Sequence, residues 1–173
     1  MTSPNDAIAA ATSTIPVEDE EALGRLAERL ADMLGARCMM ALSGDLGAGK
    51  TTFVKALAAA VGIDPAEVTS PTFGLIHVHA VPPGQAAATR PARIVHADMY
   101  RLARPSELAE TGWGDAIAGD AWVCVEWPER IATALPAERI DIAIEITSPS
   151  ARTLTFTGRG AAAVAVVGRL AAE

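Results

Sequence analysis

Gly44-Asp45-Leu46-Gly47-Ala48-Gly49-Lys50-Thr51 fits the phosphate-binding pattern G-x-x-x-x-G-K-[ST] at every fixed position. Glycines let such a stretch coil tightly, with main-chain N–H groups turned inward as a concave anion nest. An ammonium at Lys50 then suits β- and γ-phosphates, and a hydroxyl at Thr51 suits Mg²⁺. The flanks agree with this reading. Cys38-Met39-Met40-Ala41-Leu42 is a short apolar run that reads as a buried strand, and residues 52–61 read as a helix. That order would aim the positive end of the helix dipole at the phosphates. Strand, glycine loop and helix together predict an α/β nucleotide-binding domain.

A length of 173 residues suits one domain. Half of them are apolar, enough for a sizeable core. No apolar run approaches the roughly 20 residues of a membrane span, so no membrane association is expected. Residues 1–14 are rich in Ala, Ser and Thr without the basic and apolar regions of a signal peptide. They read as a disordered tail, with residues 15–173 as a single domain. The two cysteines, Cys38 and Cys124, each lie in an apolar run and read as reduced core thiols, which points to the cytoplasm. Net charge is −7, with lysines only at 50 and 55. A protein that held RNA by itself would need a basic face for the phosphates. Any link to nucleic acid is therefore expected to run through a partner.

Leucine and alanine spacing predicts a helix over 20–34, ended by Gly35. Strands are expected over 73–80 and 93–99, joined by a Pro- and Gly-rich hairpin loop at 81–92. Short helices are expected at 105–110 and 115–118, a strand at 121–126 and a helix at 128–135. Strands at 139–147 and 152–157 and a closing helix at 160–172 complete the chain. The fold expected is a P-loop NTPase-like three-layer α/β domain. Its central sheet is mixed and mainly parallel, with antiparallel edge strands.

A phosphate loop does not name a reaction, so other polar residues must discriminate. Guanine readers use Asn-Lys-x-Asp, and the only Asn here is Asn5, which favours ATP. Asp98 and Glu126 each end an apolar strand, where ligands of α/β sheets collect. One carboxylate is suited to orienting water and the other to holding Mg²⁺. Gln85, the only Gln, falls in the 81–92 loop, which argues against Gln as the water-positioning group. Thr69-Ser70-Pro71-Thr72-Phe73 reads either as a hydroxyl-rich turn or as a switch that senses the γ-phosphate. Trp127 follows Glu126 and fits either the core or a cover over the nucleotide. His77, His79 and His96 lack the clustering of a zinc site and read as structural or surface residues.

Four motifs in this order resemble the TsaE (YjeE) family of bacterial P-loop ATPases. They are Gly44 to Thr52, Thr69-Ser70-Pro71-Thr72-Phe73, His96-Ala97-Asp98-Met99-Tyr100-Arg101-Leu102 and Glu126-Trp127-Pro128-Glu129-Arg130. The resemblance implies a subunit required for threonylcarbamoyladenosine in tRNAs that read codons beginning with A. It implies ATP and Mg²⁺ as cofactors, with Lys50 on the phosphates, Thr51 and Glu126 on the metal, and Asp98 needed for hydrolysis. Asp45, Leu46, Gly47, Ala48, Gly49 and Thr52 are the accompanying loop contacts. Trp127 and Arg130 are expected beside the nucleotide, and adenine around residues 17–20. The resemblance further implies docking on a TsaB–TsaD pair that transfers the threonylcarbamoyl group and holds the tRNA, with hydrolysis resetting that pair. Alternatives from other classes are a small-molecule kinase, with Arg101, Arg104 and Arg130 as its cations, and a nucleotide-gated binding module.

Overall fold

The structure is a computed structural model, described over residues 10–71, 75–84 and 90–172. Among these residues seven strands form one sheet: β1 (Thr12–Val17), β2 (Cys38–Ser43), β3 (Ile76–Ala80), β4 (Arg93–Asp98), β5 (Ala121–Glu126), β6 (Arg139–Ile146) and β7 (Arg152–Arg159). Four α-helices accompany them: α1 (Glu20–Met33), α2 (Lys50–Ala60), α3 (Trp113–Ala116) and α4 (Ala161–Ala172). The strand order is β1-β7-β6-β2-β5-β4-β3. The central block β6-β2-β5-β4 is parallel, and β1, β7 and β3 join by antiparallel ladders toward the edges.

Burial follows from that order. All six residues of β5 are buried, as a central strand covered on both faces requires. Along β5, Trp122 and Cys124 join one core cluster, shared with α1, α2 and α4. Val123 and Val125 join the other, which includes Met99, Trp113 and Ile131. Two cores on opposite faces of one sheet make the expected three layers. Helix α1 starts where Asp19 accepts a hydrogen bond from the Ala22 N–H at 2.8 Å, with Glu20 and Glu21 favourably placed in its first turn. Its Leu23, Leu26, Ala27 and Leu30 face the core. Burial drives the Cys38 thiol up to about 12 and that of Cys124 higher still, so both stay protonated core groups.

Several boundaries differ from the sequence expectation. Residues 12–14, expected in a disordered tail, belong to β1, which pairs with β7 from Thr12↔Thr157 to Val17↔Arg152. Ser13 and Val17 are buried at a strand period. Pro16 is tolerated because β1 is an edge strand and can leave one N–H position empty. The helix expected at 128–135 is a 3-10 segment, Pro128–Ala134. Trp127 before it is left-handed and Ile131 within it is non-helical, so α-helical bonding cannot propagate. The expected helix at 105–110 is likewise 3-10, over Pro105–Thr111, and the next one runs over Trp113–Ala116 instead of 115–118. Residues 1–9 of the expected tail, Thr72 and Phe73, and 85–89 of the expected loop, Gln85 included, lie outside the described residues.

Gly44, the first residue after β2, adopts φ +145°, and a Cβ there would run into the Ile144 carbonyl oxygen. Gly44→Ala is therefore expected to destabilise the fold by about 1–3 kcal/mol, from backbone strain alone, with the clash adding to it. Urea denaturation of the two proteins measures it, with Gly114→Ala, where the added Cβ meets open space, as the control.

Candidate functional site

Between β2 and α2 the chain turns on Gly47 (φ +80°) and Gly49 (φ +105°), and the Ala48 N–H closes the loop on the Asp45 carbonyl at 3.0 Å. Helix α2 begins at Lys50, whose side chain folds back over this loop. Its Nζ donates to the carbonyls of Gly44 at 2.7 Å and Asp45 at 2.9 Å. It also stands 4.2 Å from the centroid of the Trp127 ring, a cation–π distance. An ammonium has three donors, so one N–H remains for an anion in the cleft. Burial pulls the Lys50 pKa below the ordinary lysine value, while Glu126 and Asp98 oppose that shift.

The two strand-end carboxylates are neighbours. Asp98 and Glu126 are partners across the parallel β4–β5 ladder. One oxygen of Glu126 accepts from the Thr51 hydroxyl at 2.7 Å and lies 2.8 Å from His96 Nε2. Asp98 accepts from the Ser70 hydroxyl at 2.8 Å through one oxygen and from the Tyr100 N–H at 3.0 Å through the other. Lys50, Thr51, Asp98, Glu126 and Trp127 line a single cleft of about 460 Å³, with Tyr100 and Arg101 on its rim. Trp127 holds φ +58°, which turns its ring toward Lys50 and within 5.0 Å of the Tyr100 ring. A second cleft of about 380 Å³ adjoins the first, sharing Gly49 and Thr52. Val17, Asp19 and Glu20 form one wall of it, and Pro149, Ser150 and Arg152 the other.

The Thr51 and Glu126 oxygens are hard donors of the kind Mg²⁺ takes. Among the described residues no three His, Cys, Asp or Glu side chains group as a complete cage.

Of the residues singled out in the sequence, Leu46, Gly47, Gly49, Lys50, Thr51, Thr52, Asp98, Glu126 and Trp127 meet at the first cleft, and Ala48 lines the second. The side chain of Asp45 lines neither; its carbonyl holds Lys50. Arg130 is exposed on the 3-10 segment and also lines neither. His96 takes the structural alternative of the two expected for it: it is fully buried and bonded to Glu126. Its spacing two residues before Asp98 on one strand, so on the same face, was the available signal.

A family model described as "Threonylcarbamoyl adenosine biosynthesis protein TsaE" matches residues 17–154. The chain belongs to the TsaE family. A curated TsaE of Mycobacterium tuberculosis strain H37Rv is 39% identical over 147 residues, covering 80% of this chain and 81% of that one. The TsaE of Treponema pallidum is 36% identical over 117 residues, covering 68% and 79%. The crystal structure of YdiB from Bacillus subtilis superposes with a TM-score of 0.70 at 26% identity, covering 95% of this chain and 97% of that one. The family is one of tRNA threonylcarbamoyladenosine biosynthesis. No helix among the described residues is long and apolar enough to cross a membrane.

His96→Ala removes a buried partner of Glu126 and is expected to cost about 1–3 kcal/mol of stability. Chemical denaturation checks it. His77→Ala, whose imidazole lines neither cleft, is expected to cost less.

Proposed function

We propose that this TsaE family member binds and hydrolyses ATP with Mg²⁺, as a weak ATPase on its own, in support of tRNA threonylcarbamoyladenosine modification. The observation that carries this reading is the convergence of Lys50, Thr51, Asp98 and Glu126 on one cleft beside the glycine loop. The loop amides and the spare Lys50 N–H would grip the β- and γ-phosphates. Thr51 and Glu126 would hold Mg²⁺, which neutralises charge on the phosphate oxygens. Asp98, fixed through both its oxygens by Ser70 and Tyr100, is the group suited to orient water toward the γ-phosphorus. Trp127 closes the side of the cleft nearest Lys50. The adjoining cleft beside Val17 to Glu20 is apolar enough at Val17, Leu23 and Leu154 to take adenine.

Lys50→Ala is expected to abolish ATP binding. Asp98→Ala and Glu126→Ala should retain nucleotide while turnover falls on the order of 100-fold. Calorimetry with ATP and a free-phosphate assay separate the two effects. Wild-type turnover in Glu126→Ala would sink the metal role. Release of label from γ-labelled ATP as phosphorylated metabolite, in place of free phosphate, would favour the kinase.

The cellular role we infer is that of an accessory ATPase which docks on TsaD and TsaB homologues in the cytoplasm and meets tRNA only through them. The net charge of −7 supports an indirect contact with RNA. Pull-down from a bacterial lysate with and without ATP tests it, recovery of the TsaB–TsaD pair being the expected outcome. Direct tRNA retention by the isolated protein at physiological salt would count against it.

A further inference from the structure

Arg152, the first residue of β7, reaches past β6 to the phosphate loop at the same end of the sheet. Its Nε donates to the Ala48 carbonyl at 2.8 Å, and Nη2 stands 3.5 Å from the Gly47 carbonyl. The same guanidinium is anchored behind by Nη1, which donates to the carbonyls of Ser148 at 3.0 Å and Ala151 at 2.8 Å. The turn it grips is itself closed, with the Ala151 N–H on the Ser148 hydroxyl at 3.0 Å. Among the described residues Arg152 forms no ion pair, though Asp19 and Glu20 line the same cleft.

We propose that Arg152 is a positioning residue that clasps the carbonyl edge of the phosphate loop and thereby holds the Gly49 amide ready for a phosphate. The proposal rests on the reading of this loop as a nucleoside triphosphate site. In a trans peptide the C=O of one residue and the N–H of the next point in opposite directions. With the Ala48 carbonyl held by Arg152, the Gly49 N–H must face away from it. Glycine at 47 and 49 lets the loop adopt its left-handed turns, yet the same freedom lets the intervening peptides flip. A planar fork fixed at its back by two carbonyls suppresses that flip, which a flexible ammonium would do less well. Lys50 secures the other end of the loop through Gly44 and Asp45, so the turn is held from both sides.

Calorimetric titration of the full chain with Mg-ATP and with inorganic tripolyphosphate tests the clasp. Arg152→Met is expected to weaken both ligands by a similar factor, roughly ten- to hundredfold, with Arg152→Lys in between. The amide resonance of Gly49 in the ligand-free protein should shift in both variants. Loss of ATP affinity with tripolyphosphate unaffected would overturn the proposal, since it would mean Arg152 only walls the second cleft. Unchanged affinity for both would overturn it as well. If Arg152→Met does not fold, Arg152→Lys carries the same comparison. A wild-type protein that bound tripolyphosphate but not ATP would instead defeat the nucleotide reading and leave the clasp standing.

Discussion

One oxygen of Glu126 receives both the Thr51 hydroxyl and the His96 imidazole. This shared acceptor joins the start of α2, the end of β5 and the middle of β4, three segments far apart in the chain. Glu126 is 4% exposed, and a carboxylate so placed is costly unless its lone pairs are filled. The two donors satisfy that one oxygen, and in doing so they set where α2 begins relative to the sheet. The glycine loop is thereby tied to the sheet at its C-terminal end, because Thr51 lies two residues past Gly49. Loop shape, strand register and carboxylate orientation are thus parts of one constraint.

Asp98 is handled differently. It is half-buried at the cleft, and its two oxygens take one side-chain hydroxyl and one backbone N–H. Neighbouring carboxylates on adjacent strands repel when both are ionised. Here the Lys50 ammonium stands within electrostatic reach of both, its own pKa lowered by burial and opposed by their charge. The cleft therefore stores opposed charges held apart by oriented neutral donors, an arrangement suited to polyanions with a divalent cation. Trp127 contributes the apolar side of it, at the cost of a backbone conformation rare outside glycine.

Much of this was legible in the residues. The glycine loop, its flanking strand and helix, and the two strand-end acids needed only local pattern and the rule that ligands gather at strand C-termini. What was hidden depended on distant partners. The first half of β1, Thr12-Ser13-Thr14, looks like part of a polar tail until Thr155-Phe156-Thr157 of β7 are beside it. His96 looked like one of three scattered histidines, because its meaning lies in a carboxylate 30 residues on. Arg152 gave no local sign, since it acts on Ala48 across 104 positions. The 3-10 character of Pro128–Ala134 was obscured by helix-friendly composition; the left-handed Trp127 overrides it.

The pairing of β1 with β7 has a consequence for how the chain acquires its shape. Thr12 must wait for Thr157, so the outermost ladder cannot form before every other strand of the sheet has been made. The helix that follows β1 supplies part of one core early, but the strand itself has no strand neighbour until β7 is made. Contacts of such sequence separation form slowly, because the intervening loop must first be closed. On a ribosome β1 would remain an unpaired edge, exposed to wrong partners, until the β6–β7 hairpin leaves the exit tunnel.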